Sequence, residues 1–332
     1  MAGYVSVNEA VDLGRILAAE ARLRGEVRRT PLLSSPALDA MAGRRVLVKA
    51  ECLQHTGSFK FRGGWAALSV LPEEVGGVVA ASSGNHAQGV ALAAARHGRT
   101  AVIVMPSDAP VAKIAGTRAL GAELVLYDRA TQDRDTLCGE IAAARGFALI
   151  PPFDHPEVIS GQASVGLELA EQAEGLDAEV LVCCGGGGLS AGIALALEAR
   201  APQMQVRTVE PEGFDDMARA LATGSISPNA ARTGLCDAIL TPEPGRLTLP
   251  ILRRLAGPGL VVTDAEVLRA MALAFAHLKL VIEPGGAVAL AAALYHPDKI
   301  AGEAVVVIAS GGNVDPGVFT RALREGATDA DR

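Results

Sequence analysis

"AEVLVCCGGGGLSAGIALALEARAP", residues 178–202, divides into three parts. An apolar run of strand length comes first, then four consecutive glycines, then an Ala/Leu-rich run long enough for a helix. A strand without polar alternation belongs to a sheet covered on both faces, the usual setting of parallel strands. The same order recurs along the chain. "GGVVAASSGNHAQGVALAAARHG" reads as strand, polar turn and helix, and "TAVIVMP" is a strand followed by the helix "VAKIAGTRALG". "RRVLVKAE", "AELVLYD", "QVRTVEPEG" and "EAVVVIASGGN" are further strands. Strands alternating with helices of this length predict βαβ units and mainly parallel sheets. The repetition is architectural, with no fixed-period repeat. Prolines in "FALIPPFDHPEV", residues 147–158, break a helical run and mark a boundary. The tail "EGATDADR" reads as frayed.

Composition narrows the class. The 332 residues suit one large or two medium domains, and half of them are hydrophobic, enough for a sizeable core. A net charge of −7 and 3% aromatics argue against a nucleic-acid surface. Five scattered cysteines without a CxxC pair read as reduced thiols of a cytoplasmic protein. The start "MAGYVSVNEAVDLGR" carries acids early and lacks the apolar region of a signal peptide. Residues 75–95 and 180–197 carry no formal charge, yet "SSGNHAQG" and the four glycines sit in their middles. Such centres suit buried strand–loop–helix segments, so no membrane span is expected.

Ligands collect in the loops at the C-terminal ends of parallel strands. Gly185–Gly188 follow an apolar strand and open a helix, where backbone amides and the helix dipole favour a phosphate. The segment has a rival reading. Gly186, Gly188 and Ala191 fit G-x-G-x-x-A, and Glu210 ends the next strand where a ribose-binding acid belongs, so NAD and other phosphorylated cofactors both remain open here. Ser82, Ser83 and Asn85 in "SSGNHAQG" are good helix caps, and a helix start with free N–H groups also suits a carboxylate. His86 has no second histidine or cysteine at metal-ligand spacing. Ser310 presents a hydroxyl at the end of the strand "VVVIA". Glu210 and Asp216 in "EPEGFDD" could bind a hard cation with a backbone carbonyl, or form a solvated acidic loop. Lys60 in "HTGSFKFRGG", residues 55–64, stands between two phenylalanines, which poses the question of a surface charge or a reactive amine.

Taken together, "SFKFRGG", "SSGNH", "GGGGLSAG", "EPEGFDD", "IEPGGA" and "SGGNVD" have the order and rough spacing of the fold-type II pyridoxal-phosphate enzymes. The chain resembles their serine/threonine dehydratase and serine racemase branch. The resemblance runs from "RRTPLL" to "SGGNVD", and "SFKFRG" with "SSGNH" is its specific part. Phe61 follows the lysine where O-acetylserine sulfhydrylases and threonine synthases tend to carry an aspartate. The resemblance implies an α/β fold of two open, mainly parallel twisted sheets flanked by helices, like tryptophan synthase β. Residues 1–68 and 150–332 would form a large cofactor-binding domain and 69–149 a small one. A homodimer acting on a small amino acid is implied as well.

The resemblance also implies roles. Lys60, beside Phe59, would form the internal Schiff base with pyridoxal 5'-phosphate, and its apolar neighbours would help keep the amine neutral. Gly185, Gly186, Gly187 and Gly188 would hold the phosphate, Asn85 the ring hydroxyl, and Ser310 would face the pyridine nitrogen. Ser82, Ser83 and the backbone at Asn85 and His86 would take the substrate carboxylate. Lys60 would remove the Cα proton of a 3-hydroxy amino acid, and the β-hydroxyl would leave, protonated by the cofactor phosphate. The products would be a 2-oxo acid and ammonia. Threonine and serine head the implied substrates, with 3-hydroxyaspartate also open. Ser83 matches the serine that works on the opposite face in racemases of serine or aspartate. An NAD-dependent oxidoreductase is a distant alternative. Glu210, the Phe214 carbonyl and Asp216 match the family's ligands for a divalent cation such as Mg, Mn or Ca, although the family usually has a small residue at Phe214. Residues 231–252, "ARTGLCDAILTPEPGRLTLPIL", depart from the racemase-like pattern where the substrate side chain would lie.

Overall fold

The structure, a computed structural model, describes residues 11–109, 111–231 and 233–327. Among the described residues ten strands are formed: β1 (Leu32–Ser34), β2 (Arg45–Lys49), β3 (Gly77–Ala81), β4 (Thr100–Pro106), β5 (Glu123–Tyr127), β6 (Ala148–Leu149), β7 (Ala178–Cys183), β8 (Met204–Pro211), β9 (Leu260–Val262) and β10 (Ala304–Ile308). They make two sheets, of order β1-β2-β10-β7-β8-β9 and β5-β4-β3-β6. Every pairing is parallel except β1 with β2. The α/β fold of two mainly parallel sheets is therefore the one observed. Seven of the helices concern the site: α1 (Lys60–Leu68), α2 (Asn85–Arg96), α3 (Val111–Ala119), α4 (Pro156–Gln172), α5 (Gly188–Arg200), α6 (Asp216–Thr223) and α7 (Pro284–Tyr295).

The burial pattern explains the sheets. Val180, Leu181 and Val182 of β7 and Val305, Val306, Val307 and Ile308 of β10 have no exposed surface, as expected of strands covered on both faces. The last strand lies between β2 and β7 in the larger sheet. That insertion carries Ser310 to the same sheet edge as the turns that follow β2 and β7. The smaller sheet is built from residues 77–149, and the loop after β3 leads into α2. Proline at the first position starts both α4 and α7, where its missing N–H would have had no helical partner.

The strands missed in the sequence are β1, β6 and β9, of three, two and three residues. Segments this short carry no readable periodicity. Residues 1–10, the larger part of the stretch 1–15 on which the leader reading rests, lie outside the described residues. The last helix runs to Ala327, so the tail read as frayed is helical at its start, and residues 328–332 lie outside. All five cysteines are free and buried. Among the described residues, no helix is long and apolar enough to cross a membrane.

Candidate active site

Lys60 opens α1, and the chain leading into it is tied to the end of β10. The Phe59 amide donates to the Ser310 carbonyl at 3.1 Å, and Ser58 bridges to Gly311. Lys60 Nζ donates to the Pro152 carbonyl at 2.7 Å and lies 5.1 Å from the Phe59 ring centre. Burial pushes the Lys60 amine down to about 8, against the opposing pull of the Glu283 carboxylate. At pH 7 roughly one amine in ten is then uncharged, against fewer than one in a thousand for an ordinary lysine. Lys60 is thus a half-buried amine in an enclosed setting and not an ordinary surface charge.

The glycine turn lies between β7 and α5. Gly187 has φ +89°, a left-handed conformation that favours glycine. A Cβ at Gly186 would come within 2.3 Å of the Phe153 ring. Tight packing therefore accounts for some of the run, but not for its amides. Among the described residues, none of the Gly185–Gly188 N–H groups donates to a protein acceptor, although Gly186, Gly187 and Gly188 are buried. Buried backbone donors rarely go unpaired. Consecutive free donors at a helix N-terminus form a cradle for an anion.

The loop after β3 supplies Ser82 and Ser83, both partly exposed, and the buried pair Asn85 and His86. Ser82 Oγ accepts from the Gly84 amide at 3.1 Å, a local cap. His86 Nε2 lies 2.8 Å from the Ile150 carbonyl, which can only accept, so Nε2 carries the proton and Nδ1 the lone pair. Burial, aided by Lys60, pushes His86 down to about 3, so it brings no positive charge to a carboxylate. Asn85 Nδ2 donates to Glu283 Oε1 at 2.5 Å, and Asn85 Oδ1 accepts from Asn313 Nδ2 at 2.7 Å. Ser310, at the end of β10, accepts from the Cys183 thiol at 3.1 Å. Burial pushes that thiol up to about 11, so it stays protonated.

The structure draws Lys60, Asn85, His86 and Ser310 into one neighbourhood. Glu283 and Cys183 join them, and the Glu283 carboxylate raises the Lys60 proton affinity. Sequence reasoning missed Glu283, Asn313 and Cys183. "IEPGGA" and "SGGNVD" marked two of the loops, but a polar side chain in a loop carries no sign of its partner.

The acidic loop, read as a divalent-cation site, has both of its carboxylates engaged by protein donors. Glu210 uses both carboxylate oxygens to cap α6, accepting from Met217 N at 2.9 Å and Ala218 N at 2.7 Å. Asp216 accepts from Asn229, while its other oxygen is buried without a partner. The Phe214 ring is buried. Burial drives Asp216 up to about 6 and Glu210 well above the carboxylate range, each aggravated by neighbouring acids. Among the described residues, no group of three or more His, Cys, Asp or Glu side chains could hold a metal ion. Glu210 is also fully buried and so offers no exposed carboxylate to a ribose, which counts against the NAD reading of the Gly186–Glu210 segment.

The residues present fit pyridoxal phosphate. An enclosed amine of lowered proton affinity, an unpaired amide cradle and a hydroxyl at a strand end are the chemistry this cofactor needs. The fold and this donor set define a pyridoxal-phosphate enzyme of the two-sheet α/β kind. The family model "Pyridoxal-phosphate dependent enzyme" matches residues 23–311, and the chain belongs to that family. L-threo-3-hydroxyaspartate ammonia-lyase from Pseudomonas sp is 44% identical over 311 residues, 93% of this chain and 97% of that protein. Serine racemase from Schizosaccharomyces pombe is 39% identical over 90% of this chain and 93% of its own. The crystal structure of threonine deaminase from T.th. superposes with a TM-score of 0.86 at 43% identity, covering 92% of this chain and 99% of that one.

Proposed function

We propose that this protein is an ammonia-lyase that removes water and then ammonia from a 3-hydroxy amino acid, with L-threo-3-hydroxyaspartate as its preferred substrate. The observation that carries the lyase reading is the enclosed Lys60 amine, pushed down to about 8 by burial. Pyridoxal phosphate, when bound, supplies an electron sink for the charge left at Cα as its proton departs. The free amides of Gly185–Gly188 would grip the phosphate, and Asn85 and Ser310 would address the ring oxygen and ring nitrogen. Ser82, Ser83 and the amides that open α2 would orient the substrate carboxylate. Lys60, once free, takes the Cα proton as general base. Loss of the β-hydroxyl with that proton leaves an enamine, whose imine form hydrolyses to a 2-oxo acid and ammonia. L-threo-3-hydroxyaspartate would give oxaloacetate.

Two observations support hydroxyaspartate over the threonine and serine that head the sequence expectation. The Pseudomonas relative of that activity is 44% identical over nearly its whole length. A second substrate carboxylate also needs a cation, and Lys113 of α3 lies close enough to Glu283 to lower its proton affinity. Lys113 Nζ pairs with Asp237 at 2.5 Å, and Asp237 lies in the 231–252 stretch that departs from the racemase-like pattern. In this reading the substrate carboxylate takes the place of Asp237.

The test is release of 2-oxo acid across a panel of L-threo-3-hydroxyaspartate, serine and threonine. A kcat/KM for hydroxyaspartate below that for serine or threonine would reject the substrate assignment. Full elimination by Lys60→Ala would reject the lyase assignment. Ser83 supports a second reading, racemisation, because its hydroxyl has no protein partner among the described residues. Circular dichroism of recovered substrate reads that out. On family resemblance we also propose a small domain over residues 69–149, a homodimer and a cytoplasmic location. Light scattering tests the dimer.

A further inference from the structure

We propose that Glu283 and Asn313 are positioning residues that lock the Asn85 amide in one orientation and leave a single Asn85 N–H to face the cofactor's ring oxygen. The lock rests on the pyridoxal-phosphate reading of the site and concerns two residues to which that reading gave no role.

The Thr56 carbonyl can only accept, and Asn313 Nδ2 lies 2.7 Å from it. That contact identifies the Asn313 nitrogen. The same nitrogen lies 2.7 Å from the Asn85 amide, so the Asn85 atom facing it must be the oxygen. Both Asn313 N–H groups are then committed. The Asn85 nitrogen is left on the other side, 2.5 Å from Glu283 Oε1. One of its two hydrogens goes to the carboxylate. The second has no protein acceptor among the described residues, although Asn85 is only 8% exposed. A buried donor left free beside His86 and Glu283, on both of which Lys60 acts, is the feature the lock produces.

The backbone shows why the three side chains meet. Thr56 holds φ 58°, a conformation uncommon for a non-glycine residue, and so turns its carbonyl toward Asn313. The Glu283 amide donates to the Gly311 carbonyl at 3.0 Å, and a Cβ at Gly311 would come within 2.2 Å of Glu283 Oε1. Only glycine admits the carboxylate there. Four segments are thereby joined: the turn before Lys60, the start of α2, the start of α7 and the loop after β10. Burial pushes Glu283 up to about 7, and the Asn85 hydrogen bond pulls the other way. Asp237, Lys113 and Lys60 are the remaining charged groups facing it.

An amide flipped the other way would turn its oxygen toward the ring oxygen, and two acceptors would repel. With the lock in place, the free N–H stabilises the ionised ring oxygen and lowers the pH at which the bound chromophore titrates. The experiment loads the full-length protein with pyridoxal phosphate. It records the dissociation constant and the pH titration of the visible band for wild type, Asn85→Ala, Asn313→Ala, Glu283→Ala and Glu283→Gln. Asn85→Ala should weaken cofactor binding about tenfold and move the titration to higher pH. Asn313→Ala and Glu283→Ala should each reproduce at least about a threefold loss with a shift of the same sign. Glu283→Gln, whose carbonyl can accept the same N–H, should stay within about twofold of wild type. If Glu283→Ala does not fold, the partly exposed Asn313 carries the test. Wild-type constants and titration in both Asn313→Ala and Glu283→Ala, beside a shifted Asn85→Ala, would overturn the lock. So would Glu283→Gln behaving as badly as Glu283→Ala. A wild-type protein that forms no visible band, or takes no borohydride label at Lys60, would instead bring down the cofactor reading on which the lock stands.

Discussion

Arg62 donates to both oxygens of Glu51, Nε to Oε2 and Nη2 to Oε1, each at 2.8 Å, two residues beyond Lys60. Both side chains are fully buried. Arg62 also holds Glu168 of α4 at 2.7 Å, and Lys49 of β2 reaches the same carboxylate at 2.5 Å. The four charges sum to zero. The network ties α1, which carries the lysine, to the larger sheet and to α4. It brings fixed geometry at the cost of desolvating four ions.

Arg62→Met should therefore destabilise the protein by about 3–5 kcal/mol, because it strands Glu51 and Glu168 without their main partner. Urea unfolding monitored by circular dichroism measures this. A change below about 1 kcal/mol would show that the network is not structural. Arg62→Lys should recover little, since an ammonium cannot serve two carboxylates in the fork geometry.

Loading of the apoprotein requires the neutral Lys60 amine, and its acidity sets the pH dependence. With the amine at about 8, the rate of gain of visible absorbance on adding pyridoxal phosphate should rise about tenfold per pH unit below 8 and level off above it. An ordinary lysine would keep rising toward pH 10. Stability should move the same way. The folded amine releases its proton at about 8, while the unfolded one keeps it to about 10.4, so the penalty for burying the ammonium is full below pH 8 and relieved above it. A loading rate that still climbs tenfold per unit at pH 9 contradicts the burial argument.

Gly186→Ala should reduce cofactor affinity by tenfold or more with little loss of secondary structure. The added Cβ would meet the Phe153 ring at 2.3 Å, and the backbone amides would have to move out of register with the phosphate. Equilibrium dialysis against pyridoxal phosphate gives the number. Unchanged affinity would remove the glycine turn from the binding site.

Lys113→Met should separate the substrates. Loss of the Lys113 charge is expected to lower kcat/KM for L-threo-3-hydroxyaspartate about tenfold or more and to leave serine within about threefold. Equal losses on both substrates would make the Lys113–Asp237 pair a structural contact and not a selector.

The repeated strand–turn–helix grammar, the glycine run after β7 and the apolar setting of Lys60 were all legible in the chain, because each is a local pattern. Residues 100–106 were read as a strand and form β4 in full. The glycine- and serine-rich loops that follow the strands were legible as candidate ligand loops for the same reason. What those loops hold in common was not. Whether Glu210 would bind a cation, accept a ribose or cap a helix depended on how β8 meets α6, and both its oxygens met backbone amides. Glu283 lies 198 residues from Asn85, and Asn313 lies 257 from Thr56, yet each pair is within hydrogen-bond distance. Parallel sheets bring the ends of distant strands to one edge. Hydrogen-bond partners at that edge are therefore chosen by topology, and no sequence pattern of short range can encode them.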